Sequence, residues 1–181
     1  MNNHICGDCI TSKSDFFVAR AVGRYETTLL EAIHRFKYNG KITIGEVLGK
    51  FMAEFEYSDL NIGDYSLIMP VPLHPKKLRA RGFNQSVILA REISKRFSLP
   101  LDFLTLKRQI YTEPQINLGK KKRELNVRGV FSVTHPHKIQ GQKIILVDDV
   151  YTSGSTVKEC ARILMKNKAE KVAVLTLARA V

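Results

Sequence analysis

Two adjacent carboxylates precede a run of hydroxyl side chains in one short stretch of the chain. Asp148 and Asp149 follow four apolar residues, and the hydroxyl-rich run comes two residues later: Thr152, Ser153, Gly154, Ser155 and Thr156. Hydroxyls and free N–H groups at a helix start bind phosphate, whereas carboxylates accept hydrogen bonds from sugar hydroxyls or hold Mg²⁺ through water. The stretch therefore indicates a phosphorylated sugar as ligand.

The elements around this stretch follow from its pattern. Ile144 to Val147 are apolar without alternation, which predicts a central strand covered on both faces. We expect a helix over residues 156–166, beginning near Ser155 or Thr156, with Thr156 and Glu159 forming a capping box. Ligands of open parallel sheets bind beyond the carboxyl ends of the strands, which is where the two acids lie.

Other interpretations of the stretch stay open at this point. It can be an ordinary strand-to-helix turn with two solvated acids, or a phospho-acceptor aspartate site, although the latter lacks a hydroxyl–glycine–hydroxyl run. The pattern GxxxxGK[ST] is absent from the chain, which argues against a nucleoside triphosphate held by a P-loop.

Strands and helices alternate along the rest of the chain. Residues 65–72 and 171–178 indicate buried strands, residues 19–55 are mostly of helical pattern with a break at 38–41, and residues 87–97 indicate a helix. Residues 73–86 read as a basic loop. This order predicts an α/β fold with a mainly parallel central sheet flanked by helices.

Three motifs resemble a known family. "IILVDDVYTSGST" resembles the phosphoribosyl pyrophosphate (PRPP) motif of type I phosphoribosyltransferases. "MPVPLHPKKLRARGFNQS" and "RQIYTEPQINLGKKKRELNVRGVF" resemble the ComF family, which consists of phosphoribosyltransferase-like proteins associated with bacterial DNA uptake. The resemblance covers roughly Tyr25 to Val181 and implies the type I phosphoribosyltransferase fold with a mobile basic hood loop.

The resemblance also implies roles for the first motif. Asp148 and Asp149 would bind the ribose hydroxyls of PRPP, which carries Mg²⁺, and the loop would hold the 5′-phosphate. The implied PRPP-binding loop residues are Val150, Tyr151, Thr152, Ser153, Gly154, Ser155 and Thr156. Tyr151 is unusual in such a loop: pointing outward it is harmless, and pointing inward it narrows the site.

Two basic segments supply candidate contacts to pyrophosphate or nucleic acid. The first carries Lys76, Lys77, Arg79 and Arg81, and the second carries Arg108, Gln115, Lys120, Lys121, Lys122, Arg123 and Arg128. By resemblance, the first contacts pyrophosphate and the second is the hood. The second could also bind single-stranded DNA, with Tyr111 or Phe131 as a stacking surface. Both segments could instead be solvated basic loops.

The cysteines give a weaker signal. Cys6 and Cys9 form a CxxC, half of a zinc ribbon, with His4 as a third candidate ligand and no fourth. Cys160 falls on the apolar face of the last helix, so we expect it in the core. We predict a truncated zinc-ribbon-like segment over residues 1–18 and a phosphoribosyltransferase domain over residues 19–181.

Composition limits the function. The 181 residues carry a formal net charge of +12, which favours polyanionic ligands. No apolar run is long enough for a signal peptide or a membrane helix, so we expect a cytoplasmic protein. Two hypotheses follow. The first is a PRPP-dependent transferase whose acceptor substrate the sequence does not identify. The second is a single-stranded DNA-binding protein that acts beside a competence helicase, with PRPP as regulatory ligand.

Overall fold

A parallel four-stranded sheet organises the chain. The computed structural model describes residues 15–38, 40–112 and 126–180. Its strands are β1 (Val18–Arg24), β2 (Leu67–Pro70), β3 (Leu106–Arg108), β4 (Phe131–Val133), β5 (Lys143–Tyr151) and β6 (Lys171–Arg179). Its helices are α1 (Thr27–Tyr38), α2 (Ile42–Glu54), α3 (Pro75–Arg81), α4 (Gln85–Phe97) and α5 (Ser155–Lys166). β3 and β4 form a separate antiparallel pair.

The central position of β5 confirms the prediction from its apolar run. β5 pairs with β6 on one side and β2 on the other, both parallel. Ile144 to Val147 are completely buried. Alternate side chains of β5 point to opposite faces of the sheet, and both faces are covered.

Helices cover the two faces unequally. On one face, α1, α2 and α4 pack with Ile145 and Val147 in a single apolar cluster. On the other face, α5 and the β3–β4 pair pack with Ile144 and Leu146. The predicted α/β fold, with a mainly parallel central sheet flanked by helices, is confirmed.

The structure corrects two predictions of secondary structure. Residues 19–55 are mostly helical, as predicted, but they begin with β1 (Val18–Arg24), an edge strand that, within the described part of the chain, pairs with β6 alone. An edge strand is half-buried, so its apolar pattern is weak. Residues 73–86 are not simply a loop, because α3 forms within them.

Local capping explains α3. Pro75 stands at its start, and His74 Nδ1 accepts a hydrogen bond from the Lys76 N–H at 3.1 Å. Gly82 ends the helix in the left-handed region, with φ of 84°. The basic residues of this segment therefore have helical spacing, which a loop would not give them.

Part of the predicted organisation falls outside the described residues. Cys6, Cys9 and His4 lie there, as do Gln115 and the basic run Lys120, Lys121, Lys122 and Arg123. The division at residue 18 stays a prediction, and β1 already begins at that residue. Among the described residues, no helix is long and apolar enough to cross a membrane.

Two glycines let α2 approach its neighbours closely. A Cβ atom built on Gly45 would lie 2.3 Å from Phe36 Cε2 and 3.0 Å from Ile88 Cγ2. A Cβ atom on Gly49 would lie 3.2 Å from the Leu89 Cα atom. The close contact of α2 with α1 and α4 thus depends on glycine, which has no side chain, at positions 45 and 49.

We predict that Gly45→Ala destabilises the protein. Alanine favours a helix by about 1 kcal/mol over glycine, but overpacking a core typically costs about 1–3 kcal/mol. The displaced atoms here belong to the buried Phe36 ring, so we expect a net loss of about 1 kcal/mol in the free energy of unfolding. Urea unfolding measures it, with the exposed Glu46→Ala of the same helix as control. An unchanged or higher stability of Gly45→Ala would contradict the tight contact.

Candidate functional site

The two acids lie at the carboxyl end of the sheet, within β5 rather than after it. β2 pairs with β5 only as far as Pro70 and Val147, whereas β5 continues beside β6 to Tyr151. Asp148 and Asp149 therefore extend past the end of β2. Asp148 is half-buried, and Asp149 is 5% exposed.

Asp148 is held by neutral donors. Its Oδ1 accepts hydrogen bonds from Ser86 Oγ at 3.0 Å and from the Asp149 N–H at 2.9 Å. Burial, followed by the negative charge of Asp149, raises the pKa of Asp148 from its ordinary value of 3.8 to about 7. Ionising this carboxyl is therefore costly in the free protein.

The start of α4 delivers Ser86 to this carboxyl. Asn84 caps the helix, because its Oδ1 accepts from the Ser86 N–H at 3.0 Å. The Asn84 amide also donates to the Val71 carbonyl at 3.0 Å, which ties the cap to the chain just after β2. Ser86 was not predicted as a site residue, although it ends one of the recognised motifs.

Asp149 is paired with a lysine that the sequence analysis did not identify. Lys37 Nζ of α1 lies 2.8 Å from Asp149 Oδ2, and its side chain is only 16% exposed. Burial alone lowers the pKa of Lys37, but the charge and hydrogen bond of Asp149 outweigh it and raise that pKa. Its spacing in the sequence could have identified it, because Lys37 follows the buried Ile33 by four residues and so lies on the same helix face.

Three more basic side chains lie within electrostatic range of one another, and one of them, Arg108, also interacts with Asp148. Lys77 and Arg81 lie four residues apart on one face of α3, and Arg108 comes from β3. Burial, followed by the positive charges of Arg108, Arg81 and Lys37, lowers the pKa of Lys77. The predicted pyrophosphate contacts Lys77, Arg81 and Arg108 thus converge.

Protein groups satisfy part of the hydrogen-bonding capacity of the Arg108 guanidinium. Its Nη2 donates to Thr112 Oγ1 at 2.6 Å, and its guanidinium lies 5.4 Å from the centre of the Phe131 ring. Its Nε is buried and has no hydrogen-bond partner among the described residues.

Other predicted residues do not join this group. Arg79 is exposed, and Lys76 lies 4.4 Å from the centre of the Tyr111 ring. Phe131 is 4% exposed. The idea that Phe131 stacks on a nucleic-acid base is therefore wrong, because its ring is packed in the core.

The loop after β5 has the predicted hydroxyls but not the predicted cap. α5 begins at Ser155, as expected, with Gly154 at the N-cap position in the left-handed region. The capping box is wrong, because Glu159 accepts from the Gly129 N–H at 2.8 Å and pairs with Arg162. Ser153 Oγ and Ser155 Oγ lie 2.7 Å apart.

Tyr151 supports this loop from the core. Its side chain is 9% exposed and belongs to the same apolar cluster as Val157 and Cys160. A Cβ atom on Gly154 would lie 2.3 Å from the Tyr151 hydroxyl oxygen. Gly154 is needed both for its φ of 74° and because the Tyr151 ring fills the space beside it.

Cys160 lies in the core, as predicted. It is completely buried, and that burial raises the pKa of its thiol well above the ordinary value. A thiol that stays protonated and buried is a poor nucleophile.

The donor set does not fit a directly bound Mg²⁺. The described residues contain no group of three or more His, Cys, Asp or Glu side chains that could hold a metal ion. One carboxylate oxygen of the acid pair contacts an ammonium, and another accepts two hydrogen bonds. A divalent cation at these acids would have to share Asp149 with Lys37.

We predict that Asp148→Asn stabilises the free protein at high pH. The unfolded carboxyl titrates near 3.8 and the folded one near 7, so its destabilising effect is fully present above pH 7 and absent below about pH 4. Asparagine keeps the acceptor oxygen without the charge. At pH 8 we expect a gain on the order of 2 kcal/mol, which shrinks as the pH falls.

Urea unfolding across this pH range measures the effect. Asp64→Asn, at an exposed position, controls for replacing any carboxylate. A gain that does not change between pH 8 and pH 4.5 would contradict a raised pKa for Asp148.

Comparison with known proteins agrees with this architecture. The family model described as "Phosphoribosyl transferase domain" matches residues 84–180. Competence protein F of Haemophilus influenzae is 30% identical over 179 residues, which cover 97% of this chain and 78% of the relative. Competence protein ComFC of Bacillus subtilis is 31% identical over 163 residues, which cover 88% of this chain and 63% of the relative.

A solved structure of glutamine PRPP amidotransferase from B. subtilis, complexed with ADP and GMP, is similar at 20% identity with a TM-score of 0.48. The match covers 73% of this chain and 25% of that one. The family model covers more than half of this chain, and Competence protein F matches nearly all of it. The chain therefore belongs to the phosphoribosyl transferase domain family and, within it, to the ComF family.

Proposed function

We propose that the protein binds PRPP at the carboxyl ends of β2 and β5 and transfers its phosphoribosyl group to a nitrogen nucleophile. One observation carries the proposal: basic side chains from three separate elements form one electrostatically coupled group, and two of them, Lys37 and Arg108, interact with the adjacent, largely buried carboxylates. Lys37, Lys77, Arg81 and Arg108 outnumber Asp148 and Asp149 by four to two. Such an excess of positive charge suits a ligand with several negative charges.

The ribose would lie against the acids. Carboxylate oxygens accept hydrogen bonds, and two vicinal hydroxyls of a sugar offer two donors at close spacing. Asp148 is the more accessible of the two acids, because Asp149 is turned to Lys37. Hydroxyl donors would also favour the ionised form of Asp148, which the free protein disfavours.

The 5′-phosphate would lie at the start of α5. The first N–H groups of a helix have no partner within the helix, and they attract anions together with the helix dipole. Gly154 brings the backbone close, and Ser153, Ser155 and Thr156 place hydroxyls there. This loop directly follows the strand that carries the acids, so one ligand can reach both.

The pyrophosphate would face α3 and β3. In the transfer, the bond from C1 of ribose to the pyrophosphate oxygen breaks, and its electron pair leaves with pyrophosphate. The lone pair of the nucleophile forms the new bond to C1, and its proton passes to solvent. Lys77, Arg81 and Arg108 would stabilise the charge that develops on the leaving group.

The names of the relatives support a biological setting. Competence protein F and Competence protein ComFC are named for competence, and other relatives are named DNA utilization protein YhgH. We propose that this chain, too, acts in the uptake or use of DNA.

We predict that Lys77→Met/Arg81→Met weakens PRPP binding about tenfold or more, because truncating charged contacts to a ligand costs several kcal/mol. Binding of ribose 5-phosphate should change little, because that ligand lacks the pyrophosphate. Isothermal titration calorimetry with both ligands measures the difference.

Arg79→Met is the matched control, because Arg79 lies on the same helix and is exposed. Circular dichroism establishes that each variant is folded. Equal losses for the two ligands, or a wild-type protein that binds no PRPP, would contradict the proposed function.

A second candidate function is single-stranded DNA binding beside a competence helicase, with PRPP as regulatory ligand. The observation that favours it is the Tyr38 ring at the end of α1, which is 70% exposed. The Arg81 guanidinium lies 5.6 Å from the centre of this ring, and the His34 ring centre is also 5.6 Å away. An exposed ring among basic groups is the usual platform for an unpaired base.

For this second function we predict that Tyr38→Ala weakens binding of a labelled oligothymidine about fivefold or more. Fluorescence anisotropy measures it, and the affinity of the wild type should fall steeply with salt. Phe17→Ala is the control: Phe17 is also exposed and lies under Lys171, but it precedes β1 at the other end of the sheet. Equal effects of the two substitutions, or binding that ignores salt, would reject this candidate.

A further inference from the structure

Lys37 holds a position in the site that neither the motifs nor the charge count explains. It comes from α1, on the face of the sheet covered by α2 and α4, and reaches the end of β5. Its Nζ contacts Asp149 Oδ2 at 2.8 Å, and both side chains are largely buried. A buried ion pair is held only where its geometry is good and its partners are fixed.

This ion pair changes the charge that a ligand meets at the acids. Lys37 pairs with Asp149, and the hydrogen bonds that the described residues give to Asp148 come from two neutral donors, Ser86 Oγ and the Asp149 N–H. The positive charge of Lys37 also contributes, after those of Arg108 and Arg81, to the lowered pKa of Lys77. Lys37 therefore contacts an acid proposed for the ribose and is electrostatically coupled to a lysine proposed for the pyrophosphate.

A divalent cation between a sugar diphosphate and two carboxylates would do two things. It would neutralise charge on the diphosphate, and it would bridge the ligand to the acids. In this site a fixed ammonium already lies at Asp149, and Lys77, Arg81 and Arg108 supply further positive charge. A free Mg²⁺ would meet repulsion from these groups, and it gives up its own water reluctantly.

We propose that the Lys37 ammonium takes the place of a divalent cation at the acid pair, so that the site binds the diphosphate-bearing ribose without Mg²⁺. This inference deepens the proposed function and rests on it. Lys37 would contact the ligand on one side and Asp149 on the other, which makes it a binding residue as well as a structural one.

Two substitutions separate these roles. Lys37→Met keeps the length of the side chain and removes its charge, which opens Asp149 to a metal ion. Lys37→Arg keeps the charge. Lys50→Met, at an exposed position of α2, controls for the loss of one positive charge elsewhere.

The test is calorimetric titration with PRPP in EDTA and again in MgCl₂. For the wild type and for Lys50→Met we expect dissociation constants in the two buffers that agree within about threefold. Lys37→Met should bind about tenfold or more weakly in EDTA and recover at least part of that loss in MgCl₂. Lys37→Arg should behave as the wild type does.

The outcomes are distinct. Wild-type binding that is tenfold or more tighter in MgCl₂ overturns the inference and leaves the proposed function standing. The same buffer ratio for Lys37→Met and the wild type also overturns the inference. A wild type that binds PRPP in neither buffer overturns the proposed function, and the inference with it. If Lys37→Met does not fold, the wild type and Lys37→Arg still decide between these results.

Discussion

The burial of two adjacent carboxylates at the end of a central strand is the constraint on which the rest of the site depends. Moving a carboxylate out of water costs several kcal/mol unless it is paired or hydrogen-bonded. Adjacent acids add mutual repulsion, which for unit charges 4 Å apart is about 4 kcal/mol at an effective dielectric constant of 20. The protein meets this cost differently at the two acids: Asp149 has the Lys37 ammonium, and Asp148 has a hydroxyl, an N–H and a raised pKa.

The two partners of the acids come from helices on one face of the sheet. Lys37 belongs to α1, Ser86 to α4, and α2 packs against both of these helices. Gly45 touches Phe36 of α1 and Ile88 of α4, which places the glycine next to the residues that precede Lys37 and follow Ser86. Packing between these helices therefore sets the electrostatics of the site. The other face supplies Arg108 and the loop before α5, so the proposed ligand contacts come from both layers.

Much of the fold was predictable because the apolar runs are long and the sheet is parallel. The long apolar runs of β5 and β6 indicate buried strands. Two parallel neighbouring strands need a crossover connection, which is usually a helix. β1 was missed because an edge strand buries little and seven residues of mixed polarity carry no clear period. α3 was missed because its seven residues bury nothing, so no apolar stripe marks it; only Pro75 and Gly82 do.

The site, too, contains residues that the sequence predicts and residues that only the structure brings together. Asp148, Asp149 and the loop are contiguous in the chain, so their order alone indicated their chemistry. Lys37 lies 111 positions before Asp148, and its pairing with Asp149 follows from how α1 packs on the sheet. Among basic residues, helical spacing separated Lys77 and Arg81 from Arg79 only once α3 was known to be a helix.

The charge balance of the site also explains why the acids are kept near neutrality. With Asp148 titrating near pH 7 and Asp149 paired, the free protein presents little net negative charge at the acids. The proposed polyanionic ligand would thus meet the positive charges of Lys77, Arg81 and Arg108, and the carboxylates would not repel it at a distance. Once bound, hydroxyl donors at Asp148 would replace the water that its ionised form needs. Two acids beside the proposed anion site are compatible, because one is compensated from within the fold and the other would be compensated by the ligand.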